Sequence, residues 1–129
     1  MIPAGLADTS LFIAAESGRR LRTDDLPAML TVSVITLGEL RVGVLAAEDD
    51  ETRARRLSTL TAAASFGPMP ISATVAEAWA DLRQTLRRHG RSMPINDSWI
   101  AATALAHGVP VVTQDDDYDD IPGLDVIRA

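Results

Sequence analysis

Apolar positions along the chain alternate between short runs and longer stretches with helical spacing. Residues 5–7 read as the end of a short strand, with Asp8-Thr9-Ser10 at its carboxyl end, and residues 11–17 predict a short helix. Residues 28–32 predict a second strand, after which Ser33 is placed to cap a helix running to about Ala47. The acidic break at 48–51 suits the positive end of a further helix over 52–64. Residues 67–71, Gly67-Pro68-Met69-Pro70-Ile71, allow only a very short strand, because proline cannot donate to a ladder. Val75, Trp79, Leu82 and Leu86 then share one face of a helix over 74–89. A last helix is expected over 96–107, a β-branched strand over 109–113 and a final strand over 124–127. Strands alternating with helices predict an α/β domain with a small, mainly parallel, twisted sheet flanked by helices. His89-Gly90 and His107-Gly108 read as helix ends, with glycine in the left-handed cap position and histidine near the carboxyl dipole, in preference to metal ligands.

Composition narrows the chemistry. A length of 129 residues fits one domain spanning 1–129. The absence of cysteine excludes disulfides and thiolate metal sites and suits a cytoplasmic setting. No stretch approaches the ~20 apolar residues of a membrane span. The opening Met1-Ile2-Pro3-Ala4-Gly5-Leu6 lacks the basic and long apolar regions of a leader. The formal charge of −6 argues against contact with phosphates, unless several acids hold cations and so invert the local field. All 12 basic residues are arginine. Arg83, Arg87 and Arg91 recur every fourth position beside Arg88, which reads as a solvated helix face, with a phosphate-contacting edge as the alternative.

The acids carry the candidate chemistry. In an open α/β sheet the active crevice lies beyond the carboxyl ends of the strands. Asp8 follows the first strand and Asp115 follows strand 109–113, so neighbouring strands would point both into one crevice. Asp97 sits in the first turn of its helix, and Glu39 lies among Leu37, Leu40 and Val42, where an unpaired carboxylate is costly. Each acid also has a structural explanation. Asp8 would serve as an Asx turn or helix cap, Asp97 with Asn96 as a cap, and Glu39 as a partner of Arg41. The run Asp115-Asp116-Asp117-Tyr118-Asp119-Asp120 reads mostly as a solvated turn. Together, though, the acids suit a hard cation such as Mg²⁺, which takes carboxylates and retained waters. One ion, or two held ~4 Å apart, would activate a water and stabilise a phosphodiester's leaving oxygen.

Four segments resemble the PIN-domain pattern in the version found in VapC-type toxins. They are Leu6-Ala7-Asp8-Thr9-Ser10, Thr36-Leu37-Gly38-Glu39-Leu40, Asn96-Asp97-Ser98-Trp99-Ile100-Ala101-Ala102-Thr103-Ala104 and Val111-Val112-Thr113-Gln114-Asp115-Asp116-Asp117-Tyr118. The tail Ile121-Pro122-Gly123-Leu124-Asp125-Val126 is also similar to how these toxins end. The resemblance implies a magnesium-dependent endoribonuclease, with Mn²⁺ as substitute. It also implies a homodimer and inhibition by a small, VapB-like antitoxin. Carried over by position, Asp8 and Asp97 become the principal metal ligands and Glu39 supports the metal or its water. Asp115 becomes the fourth acid, with Asp117 accessory, while Thr9, Ser10 and Thr113 orient carboxylates or water.

Other folds also place acids at strand ends. Receiver domains and haloacid-dehalogenase-type phosphatases normally hold the phosphoryl group with a lysine, and this chain has none. The phosphatase pattern also wants an aspartate where Ser10 stands. The remaining alternatives are a PIN-like RNA-processing nuclease that is not a toxin, and a catalytically silent binding module.

Overall fold

The computed structural model describes residues 4–129; Met1, Ile2 and Pro3, which enter the leader expectation, lie outside the described residues. The elements run β1 (Ala4–Ala7), α1 (Thr9–Glu16), β2 (Met29–Thr31), α2 (Val34–Ala46), α3 (Asp50–Ala64), α4 (Ala73–Arg88), α5 (Ile95–His107), β3 (Val111–Thr113) and β4 (Val126–Arg128). All four strands are parallel, in the order β2-β1-β3-β4. After β1 the chain first moves outward to β2 and later crosses to β3 on the other side of β1. The reversal point therefore lies between β1 and β3, where an open α/β sheet forms its crevice.

Capping residues fix most of the helix boundaries. Ser33 caps α2 by accepting from the Ile35 amide at 3.0 Å, as its sequence position predicts. Asp49 caps α3 and Ser72 caps α4 in the same way. Helix α1 begins at Thr9, two residues before the predicted start, because Asp8 is its cap. Gly90 and Gly108 adopt the left-handed conformation at the ends of α4 and α5, and the His89 ring Nδ1 lies 2.8 Å from the Thr85 carbonyl oxygen. Both His-Gly pairs are thus helix ends. The segment 67–71 forms only an isolated parallel bridge, Ser33 to Met69, because Pro68 and Pro70 flank the one residue able to pair.

Strand alternation divides the core between the two faces of the sheet. Leu6 and Val111 face a cluster with Leu82, Leu86, Ile100, Ala101 and Ala104 from α4 and α5. Ala7 and Val112 face the opposite way, toward Leu11 and Val32. Covering both faces is the usual arrangement for a parallel sheet. Gly5 lies where the sheet is tightest. A Cβ there would come within 2.8 Å of Pro27 Cγ and 2.9 Å of Val112 Cγ2, both on stiff side chains. Gly5→Ala is expected to cost about 1–3 kcal/mol of stability through overpacking. A urea-unfolding midpoint equal to that of the parent would refute the close approach.

Candidate active site

The carboxyl ends of β1 and β3 lie side by side, Ala7 paired with Val112, and each strand delivers polar groups into the space above. Asp8 leaves β1 with an extended backbone and caps α1, its Oδ2 accepting from the Ser10 amide at 3.3 Å. It is only 1% exposed, so every lone pair it uses must be matched inside the protein. The Thr113 hydroxyl, at the end of β3, donates to Asp8 Oδ2 at 2.9 Å. The Tyr118 hydroxyl lies 2.8 Å from Asp8 Oδ1 and 3.2 Å from Asp97 Oδ1. One phenol thus joins the acid after β1 to the acid in the first turn of α5.

Asp97 does not cap its helix. Helix α5 starts at Ile95 with Pro94 in the cap position, so the Asp97 carboxyl is free to turn toward Tyr118. Burial pushes its pKa up to about 7, assisted by contact with the Asp117 carboxyl and by the negative charge of Asp8, against a lowering hydrogen bond from Tyr118. The Asp115 carboxyl is also raised, by burial first and then by Asp8 and Asp117, with Arg19 and Arg128 opposing. Burial and the two flanking carboxylates push the Tyr118 phenol far above the usual tyrosine range, so it remains a donor.

Glu39 stands slightly apart. It accepts from the Thr9 hydroxyl at 2.7 Å, and Thr9 in turn shares a 2.9 Å hydrogen bond with the Thr36 hydroxyl. Among the described residues it makes no ion pair with Arg41 or any other arginine. The acidic run divides its work. Asp116 and Asp119 both pair with Arg128, at 2.9 Å each, while Asp115 and Asp117 act electrostatically on the site. Thr9, Ser10 and Thr113 all hydrogen-bond within this network, Ser10 Oγ lying 3.2 Å from Thr113 Oγ1. Tyr118 and Thr36 stand within the motif segments, but the sequence assigns neither a role. The signal for Tyr118 is the chain's one tyrosine standing within five aspartates; that it is fully buried only the structure shows.

The donors fit a hard divalent cation in kind: they are all carboxylates, and Asp97 is raised first by burial and then by the neighbouring acids, whose charge a cation would offset. Among the described residues, no three acidic, histidine or cysteine side chains stand close enough to hold one ion together. The Tyr118 hydroxyl bridges Asp8 and Asp97 and so fixes how their carboxyls face each other.

This arrangement has close parallels. Residues 6–124 match the PIN domain family. Ribonuclease VapC5 of Mycobacterium tuberculosis is 47% identical over 129 residues, covering 98% of this chain and 96% of the relative. Ribonuclease VapC4 of the same organism is 52% identical over 122 residues, covering 95% and 94%. The crystal structure of VapBC-5, a member of the VapBC family of toxin–antitoxin systems from Mycobacterium tuberculosis, superposes with a TM-score of 0.89 at 43% identity over 98% of both chains. The motif segments, the parallel sheet with its acids at the β1–β3 reversal, and relatives matching almost end to end agree: this chain belongs to the PIN-domain family and, within it, to the VapC ribonucleases.

Proposed function

We propose that this protein is a divalent-metal-dependent endoribonuclease that serves as the toxin of a toxin–antitoxin pair. The observation that carries the proposal is the junction of Asp8 and Asp97 through the Tyr118 hydroxyl at the carboxyl edge of the parallel sheet. Relatives named as VapC ribonucleases support the substrate class. Asp8 and Asp97 would hold Mg²⁺ or Mn²⁺, with Glu39 and Asp115 completing the acid set and Asp117 accessory. When bound, the cation supplies a water activated for attack and charge to stabilise the departing oxygen. The chain's own groups do the positioning. Thr113 and Ser10 hold Asp8 by hydrogen bonds to Oδ2, and Thr9 fixes Glu39. The Tyr118 hydroxyl, held between the two acids, orients the Asp97 carboxyl toward Asp8.

Cleavage is expected only with Mg²⁺ or Mn²⁺, leaving 5′-phosphate and 3′-hydroxyl ends. The check is an RNA-cleavage assay with end analysis, run beside EDTA and an Asp8→Asn control. Persistent activity in EDTA, or cyclic-phosphate products, would sink the metal-hydrolysis reading.

A VapB-like antitoxin is the proposed inhibitor, supported by structural neighbours that are VapBC complexes. Val42, exposed on α2, lines a groove that includes Glu39 and Asn96, and with Leu45 and Leu57, also exposed on α2 and α3, would offer the antitoxin apolar anchors. An antitoxin arginine directed at the carboxylates would form a forked pair with them. The same reading makes the active form a cytoplasmic homodimer. No helix among the described residues is long and apolar enough to cross a membrane.

A further inference from the structure

A groove of about 700 Å³ that does not contain the acids runs along the second half of α4 and the turn that follows. Trp79, Arg83, Gln84, Arg87, Arg91 and Ser92 line it, and no acidic side chain does among the described residues. In a chain of charge −6 that is a local concentration of positive charge. Among the described residues none of these three arginines is in a salt bridge.

The groove is also preorganised, and its supports are the segments that carry the acids. Arg83 is held over the Trp79 ring, 5.0 Å from its centroid, which restrains a side chain that would otherwise be mobile. Trp79 is itself fixed: it stacks on Trp99 at 4.3 Å and donates from Nε1 to Ser98 Oγ at 3.0 Å. Ser98 and Trp99 directly follow Asp97. At the far end Arg91 donates to the Asp119 and Asp120 carbonyl oxygens at 3.0 and 2.9 Å, adjoining Tyr118. Exposed Arg83 and Arg87 keep guanidinium donors available, and guanidinium is the side-chain group best matched to phosphate oxygens. A solvated helix face, the simpler reading of the arginine spacing, does not account for the shared Trp79–Ser98 anchor.

We propose that this groove is a subsite for the phosphodiester backbone of a single RNA strand leading away from the acidic site, with Arg83 and Arg87 as its phosphate contacts. The inference rests on the ribonuclease reading and extends it. Contacts of this kind position a strand without reading its sequence. They also answer the objection that an acidic protein lacks a surface for RNA, because the positive charge is local.

The test uses the full chain, a fluorescently labelled single-stranded oligoribonucleotide in EDTA, and anisotropy across a salt series, with Arg83→Ala/Arg87→Ala set against Arg22→Ala/Arg55→Ala. The groove variant should bind more weakly, and its slope of log affinity against log salt should be shallower by ~1.4, from two phosphate contacts of ~0.7 each. With Mg²⁺ its KM should rise while kcat holds; the control variant should match the parent in both assays. Unchanged slope and KM in the groove variant, or an equal loss in the control, would overturn the subsite. So would sedimentation showing a dimer that the groove variant breaks, since the face would then join two copies of this chain. A parent protein that cleaves RNA while the groove variant does so equally well removes only this inference. A parent that neither binds nor cleaves RNA removes the ribonuclease reading with it.

Discussion

Asp97→Asn is expected to abolish metal-dependent RNA cleavage and, in EDTA, to raise the melting temperature at neutral pH. The loss of turnover follows from removing one of the two carboxylates that Tyr118 draws together. The gain in stability follows from replacing a carboxylate whose charged form is disfavoured first by burial and then by its acidic neighbours. Burial, the Asp117 contact and the Asp8 charge hold the Asp97 pKa at about 7 against an ordinary value of 3.8. Between those values the folded protein binds more proton than the unfolded chain, so this group's contribution to stability falls as pH rises through the window. The asparagine variant lacks that dependence. Its advantage over the parent should be small near pH 4 and grow toward pH 7. The side chain is only partly buried, so solvent screening limits the size of the effect. Thermal melts of both proteins in EDTA across this range provide the check. A constant offset between the two curves, or retained cleavage by the variant, would dismiss the assignment.

Tyr118→Phe is expected to weaken Mn²⁺ binding by about 10–100-fold, the usual consequence of losing a partner that orients a metal-ligating group. The ring is fully buried among Leu6, Ile100 and Val111, so phenylalanine keeps the packing and removes only the hydroxyl. Asp8 Oδ1 then loses its donor while Oδ2 keeps Thr113 and Ser10. The metal-free protein should also lose about 1–3 kcal/mol, the cost of leaving a buried acceptor unmatched. Tyr118 is a positioning residue on this account, because it acts through Asp8 and Asp97. Calorimetric Mn²⁺ titration separates this role from a merely structural one. A variant that is less stable but binds Mn²⁺ as tightly as the parent would restrict Tyr118 to the core.

What the sequence conveys about this fold is local, and what it withholds is the arrangement of neighbours. Ser33 marks the start of α2 because a serine cap is a short-range event, decided within two residues. Trp79, Leu82 and Leu86 mark the inner face of α4 because helical spacing repeats along the chain. Asp8 is legible as both a cap and a site acid; the structure shows the cap and turns its carboxyl into the network at the sheet edge, because Asp8 is the one residue between the end of β1 and the start of α1. Asp97 was harder. It looks like a cap beside Asn96, yet α5 starts at Ile95, and only the three-dimensional position of Tyr118 shows where its carboxyl turns. The choice among the clustered aspartates depends on Arg128, which lies on another strand and draws Asp116 and Asp119 to itself. No local pattern expresses that pairing. The meeting of Asp8 with the residues after β3 depends likewise on strand order, which places β1 beside β3 despite about a hundred intervening residues.

The Trp79–Trp99 stack gives the molecule an unusual optical property. These are the chain's only two tryptophans, and they lie in one parallel pair across α4 and α5. Intrinsic emission therefore comes from a single place rather than from an average over the protein. That place adjoins Asp97 through Ser98 and carries Arg83 on its surface. Fluorescence consequently follows the α4–α5 seam, while circular dichroism follows all the helices. Coincident unfolding curves from the two signals would mean that the seam and the remainder of the fold come apart as one cooperative unit.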